Sequence, residues 1–152
     1  MTNAHSLALK AAAVLWVIWG LVHALAAGMI IPADPQAAVT AILDGVDPAR
    51  LAADYPTELS GVLSQHGWNL GWFGVATIVG GVCIWRASTT AIWVTALIGG
   101  LADVGYFMFV DLPGYNLFLP GTLMTIVSAA AIMLSFWVWW FRRRIAPEAP
   151  MA

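Results

Sequence analysis

Four long apolar stretches alternate with short polar or proline-rich segments along the chain. The apolar stretches cover about residues 9–31, 67–85, 91–110 and 117–141. Each approaches or exceeds the ~20 residues that an α-helix needs to cross a bilayer. The pattern predicts an all-α integral membrane four-helix bundle, a single transmembrane domain over residues 1–146 with a flexible tail at residues 147–152.

The composition supports placement in a membrane. Hydrophobic residues make up 61% of the 152 residues and charged residues only 9%, whereas soluble domains carry about 25% charged residues. The formal charge of −2 gives no electrostatic reason to expect a nucleic acid partner. Cys83 is the single cysteine, which excludes an internal disulfide. We expect a small, bacterial-type membrane protein whose surroundings are membrane lipid.

The first apolar stretch has an alternative interpretation as a cleavable signal peptide. Lys10 precedes the apolar run, and an Ala-Leu-Ala segment at residues 24–26 resembles a cleavage site. The run is longer than the usual apolar region of a signal peptide, about 7–15 residues, and it contains two Trp and a His. We therefore favour a first helix that stays in the mature protein.

The basic residues predict the orientation of the bundle. With four spans, one side of the membrane carries Lys10, Arg86, Arg142, Arg143 and Arg144. Arg50 alone falls on the other side. The positive-inside rule then places both termini in the cytoplasm and the protein in the plasma (inner) membrane.

The connection at residues 32–66 is acidic and contains four prolines. Between the prolines lie helix-like pieces, the last of which begins near Thr57. A structureless loop of this length is uncommon in a compact domain. We expect a partly helical outer lid, with its last helix running into the second span.

Similar motifs recur in the two halves of the chain. GWNL at residues 67–70 opens the second span, and GYNL at residues 114–117 opens the fourth. GLVH at residues 20–23 aligns in the same way with GLAD at residues 100–103. Chance similarity between apolar helices is the alternative. The matches predict an internal repeat of two tandem helical hairpins, related by an axis along the membrane normal.

Asp103 lies within the apolar length of the third span. An ionisable group in hydrocarbon costs at least ~2.5–3.5 kcal/mol, so it is expected to face the bundle interior and find a partner. A rise of ~1.5 Å per residue puts His23 and Asp103 at similar depths, ~12 Å and ~10–11 Å below the outer surface. We expect a buried His23–Asp103 pair, the candidate acid and base if the protein is an enzyme. A polar clasp that only fixes helix register is the alternative.

Other polar side chains cluster in the outer half, whereas the inner half is nearly pure hydrocarbon. This asymmetry predicts a pocket reached from the outer side. The expected ligand-binding residues are His23, Asp103, Tyr106, Asn69 and His66, with Trp68, Trp72 and Phe107 as apolar walls. Structural alternatives exist for two of them, since Asn69 suits helix capping and His66 suits a solvated position at the mouth.

The sequence favours neither a metal nor a haem, and the cofactor is left unknown. The spacings H-x-x-x-H, E-x-x-H and H-E-x-x-H, typical of ligands on one helix, are lacking. Among the predicted spans, His23 is the single histidine, and a bis-histidine haem needs two. Whether the protein is an enzyme stays open.

These features predict binding of a small or lipid-like molecule, of quinone or isoprenoid type, in the outer-half pocket. One alternative is a non-catalytic accessory or structural subunit of a larger membrane complex. Another is a proton-coupled transporter, which the apolar inner half disfavours because a pathway needs polar stations across the full thickness. A small-residue strip with Gly67 and Gly71 suits either a homo-oligomer contact or, more economically, packing within the bundle.

Overall fold

The computed structural model describes residues 3–145 of the chain, all of whose regular elements there are helical. The helices are α1 (Asn3–Ile30), α2 (Pro35–Ile42), α3 (Pro48–Leu51), α4 (Leu59–Trp85), α5 (Thr89–Asp111) and α6 (Leu123–Ile145). A π-helical turn, Phe118–Thr122, leads into α6. The predicted tail at residues 147–152 lies outside the described residues.

Four of these helices, α1, α4, α5 and α6 with its leading turn, are long and apolar enough to cross a membrane. This agrees with the four predicted spans. The second is longer than expected, since α4 begins at Leu59 rather than near residue 67. The last helical piece of the lid therefore continues into the second span without a break.

The four long helices form a ring of antiparallel neighbours. α1 lies along α4, α4 lies against α5, α5 against α6, and α6 returns to α1. Trp16 and Trp19 of α1 are fully buried at the centre of this ring. Their side chains reach diagonally across the core to α5.

Glycines bring α1 and α4 into their closest contact. A Cβ atom at Gly20 would lie 2.5 Å from the carbonyl oxygen of Gly74, so no larger residue fits without backbone movement. Gly67 and Gly71 also face side chains of α1. The structure therefore places the small-residue strip of the second span inside the bundle.

The two ends of the bundle differ in charge. One end, called the basic end here, carries Lys10, Arg86 and the Arg142–Arg144 triplet. At this end α6 is connected to the turn between α4 and α5, because Arg142 Nη1 donates a hydrogen bond to the Ala87 carbonyl oxygen at 3.2 Å. The opposite end, called the lid end, carries α2 and α3.

Capping residues and prolines explain where the two lid helices begin. Asp34 caps α2 by accepting a hydrogen bond from the Ala37 N–H at 2.8 Å, and Asp47 caps α3 in the same way through Ala49 at 2.9 Å. A proline occupies the first turn of each helix, where its missing N–H costs nothing.

The lid is fastened to the turn between α5 and α6. The Asp44 carboxylate accepts a hydrogen bond from the Leu117 N–H at 2.8 Å, and the Gly45 N–H donates to the Tyr115 carbonyl at 3.1 Å. Gly45 lies so close to the backbone of Asn116 that a side chain would collide with it. The connection thus lies across one end of the bundle in a defined position.

The two motifs behind the predicted repeat adopt different conformations. GWNL at residues 67–70 lies within the continuous helix α4, whereas GYNL at residues 114–117 lies in the turn before α6. Gly114 has a φ of +76°, in the left-handed region that favours glycine. This pair of motifs does not support duplication, and the repeat stays a prediction.

The half of the bundle nearer the basic end also contains buried hydroxyl groups. Thr77, Thr95 and Ser135 are each no more than 1% exposed. The Thr77 hydroxyl donates to the Phe73 carbonyl oxygen of its own helix at 2.9 Å. The expectation of a nearly pure hydrocarbon half was therefore wrong. Helix backbone satisfies the Thr77 hydroxyl, whereas the Ser135 hydroxyl has no hydrogen bond partner in residues 3–145.

A Gly20→Ala substitution tests the α1–α4 contact. We expect the free energy of unfolding to fall by about 1–3 kcal/mol, because the new methyl group collides with backbone that cannot easily move. The measurement is thermal or denaturant unfolding in lipid nanodiscs. Gly28→Ala on the same helix is the control, since no atom lies within 4 Å of its Cβ position. Equal effects of the two changes would contradict this packing.

Candidate functional site

A cavity of about 130 Å³ lies at the lid end, between α1, α4, α5, the start of α6 and the lid. Its polar lining consists of His23, Asp44, His66, Asp103 and Tyr106. Its apolar lining consists of Val22, Ala26, Ile30, Ala41, Ile42, Leu70, Pro120, Gly121 and Met124. A mostly apolar lining with a few convergent polar groups is typical of ligand sites.

The irregular course of α5 positions Asp103. The residue lies in a short α-helical segment, Leu101–Tyr106, between π-helical turns at Ala96–Gly100 and Phe107–Asp111. A π-helical turn inserts an extra residue and is frequent at functional sites. Gly99, in the first of these turns, packs directly against the Trp16 ring and lets α5 approach α1.

Asp103 is hydrogen-bonded to Trp19 rather than to His23. The Trp19 indole Nε1–H donates to the Asp103 carboxylate at 2.8 Å, and Asp103 is only 5% exposed. The Ser128 hydroxyl also lies beside this carboxylate. Among residues 3–145, no direct hydrogen bond joins His23 and Asp103. The expected direct pair is therefore replaced by a contact through the intervening tryptophan.

His23 is held by the same tryptophan. Its ring stacks on the Trp19 indole, with centroids 3.5 Å apart and planes 19° apart. Its Nδ1 lies 2.8 Å from the Trp19 carbonyl oxygen. Because a carbonyl oxygen only accepts, Nδ1 must donate, which leaves Nε2 of the neutral ring as an acceptor. No residue described in the structure supplies a hydrogen bond to Nε2.

A second polar network fixes the start of α6. The Asp111 carboxylate accepts hydrogen bonds from Asn116 at 2.6 Å, Thr122 at 2.7 Å and Thr125 at 2.9 Å. This network holds the segment that contributes Pro120 and Gly121 to the cavity.

Tyr106 joins this network to the cavity. A Cβ atom at Gly121 would lie 2.6 Å from the Tyr106 hydroxyl oxygen, so the tyrosine lies directly against the start of α6. Its hydroxyl also interacts with the Asn116 side chain. Tyr106 therefore presents its polar end to the cavity from a constrained position.

The structure brings four of the predicted site residues together and separates the other four. His23, Asp103, Tyr106 and His66 line the cavity. Asn69, Trp68, Trp72 and Phe107 do not. The Asn69 side chain accepts a hydrogen bond from Trp72 at 3.2 Å instead. Trp68, Trp72 and Phe107 are 65%, 43% and 46% exposed. Aliphatic side chains form the walls that these aromatic residues were expected to form.

Sequence reasoning missed Trp19, Asp44 and Asp111. Trp19 precedes His23 by four residues and Asp111 follows Asp103 by eight, spacings that place each pair on one helix face. Helical periodicity was thus a usable signal for both. Asp44 belongs to the lid, whose docking has no sequence signal.

The described part of the chain holds no group of three or more His, Cys, Asp or Glu side chains arranged to bind a metal ion. The five polar side chains of the cavity come from four different segments, since Asp103 and Tyr106 both lie on α5. They are suited to hydrogen bonding with an organic ligand.

A Trp19→Phe substitution tests the contact with Asp103. It removes the indole donor but keeps an aromatic ring, and we expect it to lower the free energy of unfolding by about 1–3 kcal/mol more than Trp16→Phe does. Trp16 is the matched control because it is equally buried and its Nε1 has no hydrogen bond partner in residues 3–145. The measurement is denaturant unfolding in micelles. Similar losses in both variants would show that the hydrogen bond contributes little.

No family model, curated protein or solved structure matches this chain.

Proposed function

We propose that this protein binds the polar head of a small or lipid-like molecule, of quinone type, in the lid-end cavity. The observation that carries the proposal is the His23 Nε2 acceptor, which lines the cavity without a protein partner. The unprotonated nitrogen of a neutral imidazole ring can accept one hydrogen bond. A ligand hydroxyl group, or a bound water molecule in its absence, would satisfy it.

The cavity volume limits the size of the ligand group that can enter. An engineered cavity of about 150 Å³ lined by apolar side chains binds benzene, and the cavity here is of similar size at about 130 Å³. It accommodates a single ring and not an isoprenoid chain. A lipid-like ligand therefore places its head among the polar groups and leaves its chain outside the cavity.

The polar lining suits a ligand with oxygen atoms on its ring. His23 Nε2 accepts a hydrogen bond, and the Tyr106 hydroxyl and His66 ring can each donate or accept. If a reaction occurs, His23 Nε2 is the group that takes a proton from a ligand hydroxyl. Asp103 does not touch Nε2 and acts as a positioning residue, because its hydrogen bond orients the Trp19 indole on which His23 stacks.

The placement in a membrane belongs to the same proposal. Four helices are long and apolar enough to span, and most basic residues lie at one end of the bundle. The positive-inside rule supports an inner-membrane protein with both termini in the cytoplasm and the lid on the outer side. The cavity then opens toward the outer half of the bilayer.

An accessory subunit of a larger membrane complex is the second candidate function. It is favoured by the hydrogen bond between Trp19 and Asp103, which satisfies the carboxylate without any ligand. Under this candidate, Asp103→Leu lowers the abundance of the protein and leaves the small-molecule content of the folded fraction unchanged. Under the leading proposal, the folded fraction of Asp103→Leu also loses ligand.

The leading proposal is tested by identifying what copurifies with the protein. We expect native lipid nanodiscs to contain about one molecule of a ring-bearing lipid-like compound per chain, detected by absorbance and mass spectrometry of the extract. His23→Phe keeps the ring stacking and removes Nε2, and Ala26→Phe fills the cavity. Both should reduce the bound compound at least ~10-fold, since about 1.4 kcal/mol of lost affinity has that effect.

Leu25→Phe is the matched control for the cavity-filling change. Leu25 neighbours Ala26 in sequence but is 69% exposed on the outside of the bundle, so its replacement should leave the bound compound unchanged. Circular dichroism verifies folding of each variant. The proposal would be refuted if every sample contained only bulk lipid. It would also be refuted if folded His23→Phe and folded Ala26→Phe both retained the bound compound in full.

The orientation is tested by cysteine labelling of intact cells in a Cys83→Ser background. Ala49→Cys lies on the lid and Thr90→Cys at the basic end, and both positions are exposed. A membrane-impermeant maleimide should label Ala49→Cys directly and Thr90→Cys only after permeabilisation. The reverse pattern would place the lid and its cavity on the cytoplasmic side.

A further inference from the structure

A groove runs along the outside of α1 and α4, in the half of the bundle nearer the basic end. Val14, Val17 and Ile18 of α1 form one wall, and Gly81 and Val82 of α4 form the other. Its volume is about 460 Å³, against about 130 Å³ for the lid-end cavity. Val14 and Ile18 are 47% and 43% exposed. The groove is therefore an open apolar channel on the surface of the bundle.

Two cationic side chains lie where this groove reaches the basic end. Arg86 lines the groove itself beside Trp85. The Lys10 ammonium lies 5.3 Å from the centroid of the Trp85 ring, within the range of a cation–π contact. Both cations are exposed, and no carboxylate in residues 3–145 pairs with either of them. Trp85 thus lies beside two cationic side chains at one end of the apolar groove.

An amphiphile with one anionic group matches this arrangement. Its hydrocarbon chain would lie along the valines and Ile18, and its charged group would reach Lys10 and Arg86. Basic side chains at the membrane surface attract anionic lipid headgroups. A zwitterionic lipid would gain the same apolar contact but would present an ammonium group next to the two cations.

We infer that the α1–α4 groove binds an anionic phospholipid, with the headgroup phosphate between Lys10 and Arg86 and one acyl chain against Val14, Val17 and Ile18. The site is separate from the lid-end cavity and does not depend on the ligand there. It rests on the proposed placement in a membrane, which the cysteine labelling tests independently.

The test measures lipid binding by native mass spectrometry of the detergent-purified protein titrated with phosphatidylglycerol or phosphatidylcholine. We expect one phosphatidylglycerol to bind more tightly than phosphatidylcholine. In the double variant Lys10→Gln/Arg86→Gln, phosphatidylglycerol binding should weaken by about 30-fold, the effect of removing two basic residues at a membrane surface. Phosphatidylcholine binding should stay unchanged.

The matched control is Arg143→Gln/Arg144→Gln. It removes the same charge from the same end, where these guanidinium groups stack on Trp139 and Trp140 instead. We expect less than about a threefold change in this control, since the groove is intact.

A second variant blocks the groove without changing charge. Ile18→Trp fills the channel and should weaken phosphatidylglycerol binding although both cations remain. Equal weakening in the two double variants, equal affinity for the two lipids in the unmodified protein, or unaltered binding in Ile18→Trp would each overturn the inference.

Discussion

A carboxylate inside an apolar bundle needs hydrogen bond donors, and this requirement organises the core around Asp103. Trp19 supplies the main donor from the diagonally opposite helix, so α1 and α5 must approach each other at this level. Gly99 permits that approach by leaving room for the Trp16 ring. The same Trp19 then stacks on His23 and accepts a hydrogen bond from its Nδ1. Asp103 thus holds the indole on which the cavity histidine stacks.

The cavity exists because the lid and the α5–α6 turn are fixed over the end of the bundle. Asp44 binds the backbone of the turn, and Asp111 gathers three side chains at the start of α6. Small side chains at Ala26, Ala41 and Gly121 leave the space unfilled. Polar networks at the rim and small residues within thus produce a cavity in which Nε2 of His23 stays available.

Two lipid-related sites would then lie at opposite ends of one bundle. The lid-end cavity is small, and its mostly apolar lining carries five polar side chains, which suits selection of one head group by shape and hydrogen bonding. The α1–α4 groove is larger, open and flanked by Lys10 and Arg86, which suits recognition of charge over an apolar chain. The chemistry of each lining, rather than the fold, distinguishes what each would bind.

The sequence by itself determined the four long apolar helices, the helical lid and the matched depth of His23 and Asp103, because apolar length, breakers and helical rise are local properties. Only the tertiary structure decided which side chains meet. Trp19 rather than His23 reached Asp103, since contact depends on how helices rotate and cross. Trp68, Trp72 and Phe107 face outward. Both the core-facing and the lipid-facing sides of a membrane helix are apolar, so the hydrophobic pattern does not show which side faces the core. The docking of Asp44 on the α5–α6 turn depends on long-range backbone geometry, which no local pattern encodes.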